Sequence, residues 1–136
     1  MKRILYLNIL IAFVIILNSC SDKVILDGKW DDNIKLSVKK VEFSASTDSV
    51  TIKTGGSSWW VTDISVDTTH FYGFKGINLE SDHYSIKQDC FIVERRNKNT
   101  LFIKVQENPN YVERVITVGL EAGDYFDRVT ITQKAN

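Results

Sequence analysis

Residues 91–133 read FIVERRNKNTLFIKVQENPNYVERVITVGLEAGDYFDRVTITQ, and this stretch decides the fold. Apolar and polar residues alternate in three successive segments of it, which is typical of strands that bury one face. The buried faces are expected to consist of Leu101, Ile103 and Val105, then Ile116, Val118 and Leu120, and finally Tyr125, Val129, Ile131 and Gln133. Polar or glycine-containing turns separate the segments. The stretch therefore predicts consecutive antiparallel strands.

The strand pattern continues upstream of this stretch. Val50 and Ile52 lead to a turn signal at Gly55-Gly56, and residues 57–66 (SSWWVTDISV) are rich in the β-branched and aromatic side chains that strands favour. Helical periodicity is not evident after the N-terminal segment. The predicted class is all-β, an antiparallel β-sandwich of seven to eight strands that occupies residues 34–136.

The first strand of this domain shows a change of parity at Lys39-Lys40. Apolar residues fall on even numbers before it and on odd numbers after it, namely Ile34, Leu36 and Val38, then Val41, Phe43 and Ala45. Successive strand residues face opposite sides, so the change requires a bulge or a crossing from one sheet to the other. A crossing is common for the first strand of a sandwich.

The N-terminus is typical of a bacterial signal peptide. Two basic residues, Lys2 and Arg3, precede an apolar run over residues 4–17, which is shorter than the roughly 20 residues of a membrane span. The run ends in Leu17-Asn18-Ser19-Cys20, which resembles a lipobox, the motif whose cysteine receives lipid. An ordinary secretory signal or a short membrane anchor is the alternative interpretation.

Lipidation at Cys20 predicts the domain organisation and the location. Residues 1–19 form the lipoprotein signal peptide, and residues 20–33 form a lipidated tether, since acyl chains on Cys20 anchor the protein to a membrane that it does not cross. Ser21 follows the cysteine, which does not resemble the aspartate signal for inner-membrane retention. An outer-membrane location is therefore expected, with the periplasmic and the cell-surface face both open.

The charge balance argues against a nucleic-acid partner. The chain has 17 Lys and Arg residues against 17 Asp and Glu residues, a formal charge of zero. Without residues 1–19, which contain Lys2 and Arg3 and no acid, 15 basic residues face 17 acidic ones, a formal charge of −2. Sequence-independent binding to phosphate backbones needs an excess of positive charge. We therefore expect no nucleic-acid partner.

No catalytic or metal-binding motif is evident. Lipidated Cys20 leaves Cys90 without a partner in the chain, so no intrachain disulfide is expected and Cys90 is interpreted as a small buried apolar residue. No motif joins His70 or His83 to Cys90 as a general base. The spacing of His70, Asp82, His83 and Asp89 matches no known ligand pattern. We predict that the protein is not an enzyme and holds neither a metal nor a cofactor.

Several short motifs give the domain a family resemblance. They are Val41-Glu42-Phe43-Ser44-Ala45, Gly55-Gly56 with Trp59-Trp60, residues 108–114 (NPNYVER), and the closing residues 127–133 (DRVTITQ). Together they resemble the BACON domain, an immunoglobulin-like module of Bacteroidetes surface and periplasmic proteins. The resemblance covers roughly residues 34–136 and departs from the family in residues 67–89, which are longer and more aromatic than expected. It implies an immunoglobulin-like sandwich with non-catalytic work in a glycan-processing setting, and it supplies no binding residues.

The residues themselves suggest where a ligand would bind. A β-sandwich that binds sugar needs exposed aromatic rings flanked by polar side chains. The segment His70-Phe71-Tyr72-Gly73-Phe74 supplies three aromatic rings, and the polar partners near it are Asn78, Glu80, Asp82 and His83. The alternative is that Phe71 and Phe74 form a small core under the loop. Of Trp59 and Trp60, one is expected inside and the other outside, because neighbouring strand residues face opposite sides.

Two functions follow from these observations. The first is a membrane-anchored binding module that recognises a glycan or a partner protein through surface loops, chiefly residues 67–89, because loops vary without disturbing the core. The second is a structural spacer or an assembly subunit of a cell-surface complex. The chain ends immediately after the last predicted strand, at Asn136, which favours the binding module.

Overall fold

The computed structural model describes residues 30–136, so the predicted signal peptide, Cys20 and most of the tether lie outside the described residues. Nine strands follow one another in this part of the chain: β1 (Lys40–Phe43), β2 (Asp48–Lys53), β3 (Trp60–Val66), β4 (Thr69–Tyr72), β5 (Tyr84–Gln88), β6 (Phe91–Arg95), β7 (Thr100–Val105), β8 (Arg114–Ala122) and β9 (Tyr125–Gln133). They form a five-stranded sheet in the order β1-β9-β8-β3-β4 and a four-stranded sheet in the order β2-β7-β6-β5. The predicted all-β sandwich is confirmed.

The strand count exceeds the prediction of seven to eight because residues 67–89, which were expected to form a loop, contain both β4 and β5. β4 has only four residues, too few for alternation to stand out in the sequence. All pairings within the described residues are antiparallel except that of β1 with β9, which is parallel. No helix in residues 30–136 has the length and hydropathy needed to cross a membrane.

The core lies between the two sheets and follows the predicted alternation. The inward positions of β7 and β8 are fully buried, as are those in the second half of β9: Leu101, Ile103, Val105, Ile116, Val118, Leu120, Val129, Ile131 and Gln133. Tyr125 is half-buried and packs against this core. Burial of these apolar side chains is the main source of stability, at about 1.5–3 kcal/mol for each large one.

The parity change at Lys39-Lys40 marks a crossing between the sheets, which is one of the two interpretations that the sequence allows. Before it, Leu36 forms a β-bridge with Thr54, the residue that follows β2 of the four-stranded sheet. After it, β1 pairs with β9 of the five-stranded sheet. The first segment of the domain therefore joins both sheets.

Residues 67–89, which were expected to form a loop, contribute an edge strand to each sheet. β4 pairs with β3, and β5 pairs with β6. Asp67, at φ 52°, makes the tight turn before β4 and accepts a hydrogen bond from Val115 N at 2.8 Å. Only residues 73–83 remain as a connection, and it crosses from one sheet to the other.

One end of the sandwich, here called the closed end, is filled by buried polar side chains. Arg114, at the start of β8, donates from Nε and one terminal nitrogen to Gln133 Oε1, at 3.1 and 2.6 Å. Gln133 in turn donates to the carbonyl oxygens of Ala45, Ser46 and Gln106. Asn108 Nδ2 donates to Val112 O and Lys134 O. The network ties three chain segments together without an ionised partner for Arg114.

The opposite end, here called the open end, also contains a buried arginine. Arg95, the last residue of β6, is 4% exposed, and its guanidinium lies 4.6 Å from the centre of the Trp59 ring. It donates to the carbonyl oxygens of Ser57, Ser81 and Lys98, while its Nε has no hydrogen-bond partner among the described residues. The chain enters the domain at this end, where Gly56 N donates to Ile34 O.

Candidate functional site on the five-stranded sheet

The structure separates the predicted ligand-binding residues into two groups, one of which is turned inward. Trp59 is 1% exposed and donates its indole N–H to Thr54 Oγ1 at 2.9 Å, so it belongs to the core. Phe71 and Phe74 are half-buried and pack against the core, and the Phe71 ring meets the Phe91 ring edge-on at 5.4 Å. These two rings therefore join the main core rather than a separate small core under the loop.

The second group points outward on one face of the five-stranded sheet. His70 and Tyr72 occupy outward positions of β4, and Tyr72 is 74% exposed. Trp60 begins β3 and pairs with Glu121 of β8, which pairs with Phe126 of β9. Phe126 is 65% exposed. One of the two neighbouring tryptophans was expected inside and the other outside. Trp59 is the inner one, and Trp60 is half-exposed.

A β-bulge places a carboxylate at the centre of this face. The register between β3 and β8 shifts between Val61 and Asp63, so Thr62 and Asp63 both face outward. Thr62 Oγ1 donates to Asp63 Oδ1 at 3.0 Å, which orients the carboxylate. Asp63 also pairs with Tyr72 across the sheet.

Gly119 gives the face a floor without a side chain. It lies opposite Asp63 on β8, and a Cβ at this position would stand 2.1 Å from Asp63 Oδ1 and 3.0 Å from Thr62 Oγ1. No other residue therefore fits while Asp63 lies across it. A shallow depression of about 270 Å³ results, and its lining includes Thr62, Asp63, Thr117, Gly119, Phe126 and Arg128.

The surface formed by Trp60, Asp63, Tyr72, Gly119 and Phe126 is here called the aromatic face. Trp60 and Phe126 share one cross-strand row with a single strand between them, so their backbones are about 9–10 Å apart. Exposed aromatic rings offer an apolar surface to the C–H side of a sugar ring, while carboxylate and guanidinium groups exchange hydrogen bonds with its hydroxyls. Because the groups stand on paired strands, they are positioned before a ligand arrives.

On the outer surface of the four-stranded sheet, the aromatic side chain is covered by another side chain. Phe102 projects from β7, and the Arg96 guanidinium lies 3.5 Å from the centre of its ring. Arg96 is itself held by Glu94 at 2.7 Å. This ring is therefore covered by a side chain of the protein, whereas Tyr72 and Phe126 are largely open to solvent.

Sequence reasoning missed Asp63, Gly119, Phe126 and Arg128. The alternation of β9 did carry a signal for Phe126, because it has the opposite parity to Val129 and Ile131. A glycine inside a strand often marks a close approach, which is the situation of Gly119. The bulge that turns Asp63 outward has no signature in the sequence.

The described residues show no group of three or more His, Cys, Asp or Glu side chains that could hold a metal ion. His70 and His83 are exposed, and His83 Nδ1 accepts a hydrogen bond from Asn97 N at 3.3 Å. Cys90 is free and half-buried, and it packs against the core. Burial raises the pKa of the Cys90 thiol, which lowers its reactivity at neutral pH.

The fold places the chain among all-β sandwich proteins. No protein-family model matches the chain, and no curated protein matches it. Among solved structures it is similar to the NMR structure of a protein from Bacteroides thetaiotaomicron, with a TM-score of 0.63 and 18% identity over 79% of this chain and 92% of that chain. At this identity the similarity shows a shared fold alone.

A second similar structure is a Bacteroides ovatus GH5 xyloglucanase in complex with a XXXG heptasaccharide. The TM-score is 0.48 with 20% identity, and the match covers 76% of this chain and 19% of that chain. The chain thus spans about a fifth of that enzyme. The resemblance to the BACON domain stays a prediction.

Proposed function

We propose that this protein is a non-catalytic, membrane-anchored lipoprotein whose sandwich binds a glycan through the aromatic face. The observation that carries the proposal is the arrangement of Trp60, Tyr72 and Phe126 around the side-chain-free floor at Gly119, beside the oriented carboxylate of Asp63. Rigid rings around a shallow polar depression suit the two surfaces of a sugar, apolar on its C–H side and polar at its hydroxyls.

The position of the aromatic face is compatible with the proposed anchor. The chain enters the domain at the open end, where the backbone of residue 34 bonds to Gly56. The aromatic face lies along the side of the sandwich, on the outward surfaces of β3, β4, β8 and β9. A lipid on Cys20 would therefore leave this side of the domain accessible, and the outer membrane is the location that the lipobox suggests.

A second candidate function is assembly with a protein partner, as a structural subunit of a surface complex. It is favoured by Tyr111 and Val112, which are 91% and 67% exposed in the loop between β7 and β8. Exposed apolar side chains at a loop tip are common contact residues in protein interfaces. This loop lies at the closed end, opposite the end where the chain enters.

Affinity electrophoresis of the lipidated protein on gels that contain soluble polysaccharides tests the glycan proposal. We expect retardation of the wild-type protein by at least one glycan of a broad panel. Tyr72→Ala and Phe126→Ala should each weaken binding about tenfold, since loss of an aromatic contact costs roughly 1–1.5 kcal/mol. Tyr111→Ala is the matched control, because it removes another exposed ring, which lies far from the aromatic face.

The outcomes separate the two candidate functions. Equal retardation of the Tyr72→Ala/Phe126→Ala double variant and of Tyr111→Ala would exclude the aromatic face as the binding site. Absence of retardation on every glycan would overturn glycan binding itself. Assembly would then be tested by whether Tyr111→Ala releases the protein from a cross-linked surface complex.

The anchor has its own test in growing cells. Cys20→Ser should accumulate as an unprocessed precursor that does not incorporate labelled fatty acid, because the thiol that accepts the lipid is missing. Ser19→Ala keeps a small residue before the cysteine and should be labelled normally. Equal labelling of wild-type protein and Cys20→Ser would contradict a lipid on Cys20.

A further inference from the structure

The open end contains a pocket that adjoins the aromatic face. Its volume is about 340 Å³, and three chain segments form its walls: residues 57–60 before and in β3, residues 80–82 of the connection between β4 and β5, and residues 95–98 at and after the end of β6. We call it the end pocket. Its lining includes Ser57, Trp60, Glu80, Asp82, Arg95 and Lys98.

Arg95 fixes the three walls relative to one another. Its guanidinium donates to one carbonyl oxygen in each segment, those of Ser57, Ser81 and Lys98, the last at 3.3 Å. The other side of the guanidinium is held by the Trp59 ring at 4.6 Å. Loops held in this way do not have to be ordered by a ligand, so binding would not carry that entropic cost.

The lining combines hydrogen-bond acceptors, donors and an aromatic ring. Glu80 and Asp82 accept hydrogen bonds, Lys98 donates, and the serine hydroxyls do both. The Trp60 ring, half-exposed, supplies an apolar wall. This set suits a ring that carries many hydroxyl groups, because each hydroxyl both donates and accepts.

The charges favour a neutral ring over an acidic one. The terminal nitrogens of Arg95 are occupied by carbonyl oxygens, and Lys98 Nζ lies 3.8 Å from Asp82 Oδ2. Glu80 has no basic partner within 4.0 Å among residues 30–136. The formal charges of the lining cancel, Glu80 and Asp82 against Arg95 and Lys98, so a sugar carboxylate gains no net attraction, whereas a sugar hydroxyl can donate to Glu80. The volume lies at the lower end of the usual range for small-molecule sites, so one ring fits.

We propose that the end pocket binds one neutral hexopyranose residue, the terminal or branching residue of the glycan whose chain lies on the aromatic face. The proposal rests on the proposed function and specifies the ligand. Trp60 links the two sites, because it starts the cross-strand row that contains Phe126 and also lines the end pocket. The aromatic face would supply general affinity for the chain, and the end pocket would select how the chain ends or branches.

The experiment is an NMR titration of the lipidated protein in a zwitterionic detergent without a sugar headgroup. It follows the signals of the tryptophan indole N–H groups. The chain has three tryptophans, so three signals are expected and Trp→Phe variants assign them. Methyl glycosides of neutral hexoses and the corresponding uronic acids are titrated separately. A neutral hexoside should shift the Trp60 signal at millimolar concentration and leave the buried Trp59 signal nearly unchanged.

Matched variants locate the binding. Glu80→Gln/Asp82→Asn should weaken the hexoside titration about tenfold or more, since charged acceptors make the stronger hydrogen bonds. Glu107→Gln/Glu113→Gln removes the same number of charges from exposed residues near the closed end and should leave the titration unchanged. Polysaccharide retardation is measured on the same variants.

Each outcome is decisive. An unchanged hexoside titration in Glu80→Gln/Asp82→Asn, or no Trp60 shift with any hexoside, overturns the end pocket as a sugar site, while wild-type retardation by polysaccharide leaves the proposed function standing. Tighter binding of a uronic acid than of its neutral counterpart overturns the assignment to neutral hexoses. If no polysaccharide retards the wild-type protein, the proposed function itself is wrong, and this inference is wrong with it.

Discussion

The closed end and the open end of the sandwich each bury an arginine at a terminal inward position of a strand. Arg114 at the closed end and Arg95 at the open end are 7% and 4% exposed, and both donate to carbonyl oxygens of nearby loops. Neither has a carboxylate within 4.0 Å in the described chain. A buried arginine therefore holds the loops together at each end.

The two ends differ in what lies beyond the arginine. At the closed end Gln133 is fully buried. It accepts two hydrogen bonds from Arg114 and donates to three backbone carbonyl oxygens. At the open end the space beside Arg95 is the end pocket, and Arg95 Nε has no partner among residues 30–136. A second buried side chain therefore bonds the arginine at one end, whereas Arg95 donates to backbone oxygens and the space beside it stays open.

The first prediction concerns the removal of the buried arginine at the closed end. Arg114→Met keeps a long apolar side chain but removes the donor to Gln133 Oε1, which stays buried, and to the carbonyl oxygens of Gln106 and Glu107, which are partly buried. Each unsatisfied buried acceptor costs roughly 1–3 kcal/mol, so the free energy of unfolding should fall by about 4 kcal/mol. Urea denaturation followed by tryptophan fluorescence measures it.

The control for this variant is Arg128→Met, because Arg128 is exposed on the outer surface of β9. A surface substitution of this kind should change the free energy of unfolding by no more than about 0.5 kcal/mol. A loss below about 1 kcal/mol in Arg114→Met would show that the buried network at the closed end is not a major source of stability.

The second prediction concerns the open end and is smaller. Arg95→Met should lower the free energy of unfolding by about 2 kcal/mol. The variant loses hydrogen bonds to three carbonyl oxygens and the contact with the Trp59 ring, but it also removes a buried N–H that has no partner. Water in the end pocket can replace part of what is lost. A loss equal to that of Arg114→Met would contradict the difference between the ends.

The closed end gives a structural role to two of the sequence motifs. Residues 108–114 and the closing ITQ contain the three side chains of the buried network, Asn108, Arg114 and Gln133. Asn108 and Arg114 looked like turn residues by pattern alone, because polar residues near turns are normally solvated, whereas the alternation of the last strand already placed Gln133 on its buried face. Their role depends on contacts between segments up to 88 positions apart, which local patterns do not report.

The core and the sheet crossing were predictable because they depend on parity alone. The alternation identified the inward faces of β7, β8 and β9, and the parity change identified the crossing at residues 39–40. The candidate site was only partly predictable. Trp60 and Tyr72 stood out as aromatic, whereas the outward turn of Asp63 depends on a bulge, and Arg95 looked like the start of a polar turn although it ends β6 in the core.

The third prediction is that acid weakens the open end and leaves the closed end unchanged. Asp32 Oδ1 accepts hydrogen bonds from Lys35 N at 2.6 Å and Ile34 N at 3.1 Å, where the chain enters the open end. The bond from Lys35 is the main cause that lowers the pKa of Asp32, and the positive charge of Lys39 adds to it. A lowered pKa in the folded state means that the carboxylate stabilises the fold above about pH 4 and loses this effect as the pH falls further. The network at the closed end contains no carboxylate, so it has nothing to titrate in this range.

Amide hydrogen exchange measures the difference at single residues. Relative to the Asn108 amide, which donates to Ala45 O at the closed end, the amides of Ile34 and Lys35 should lose protection between neutral pH and about pH 2–3. Asp32→Ala should show the same loss already at neutral pH, and the two proteins should converge in acid. The effect is the smallest of the three, below about 1 kcal/mol, because Asp32 is largely solvated. Parallel loss of protection at Asn108 would mean that acid loosens the whole sandwich, and the open end would then have no separate response to pH.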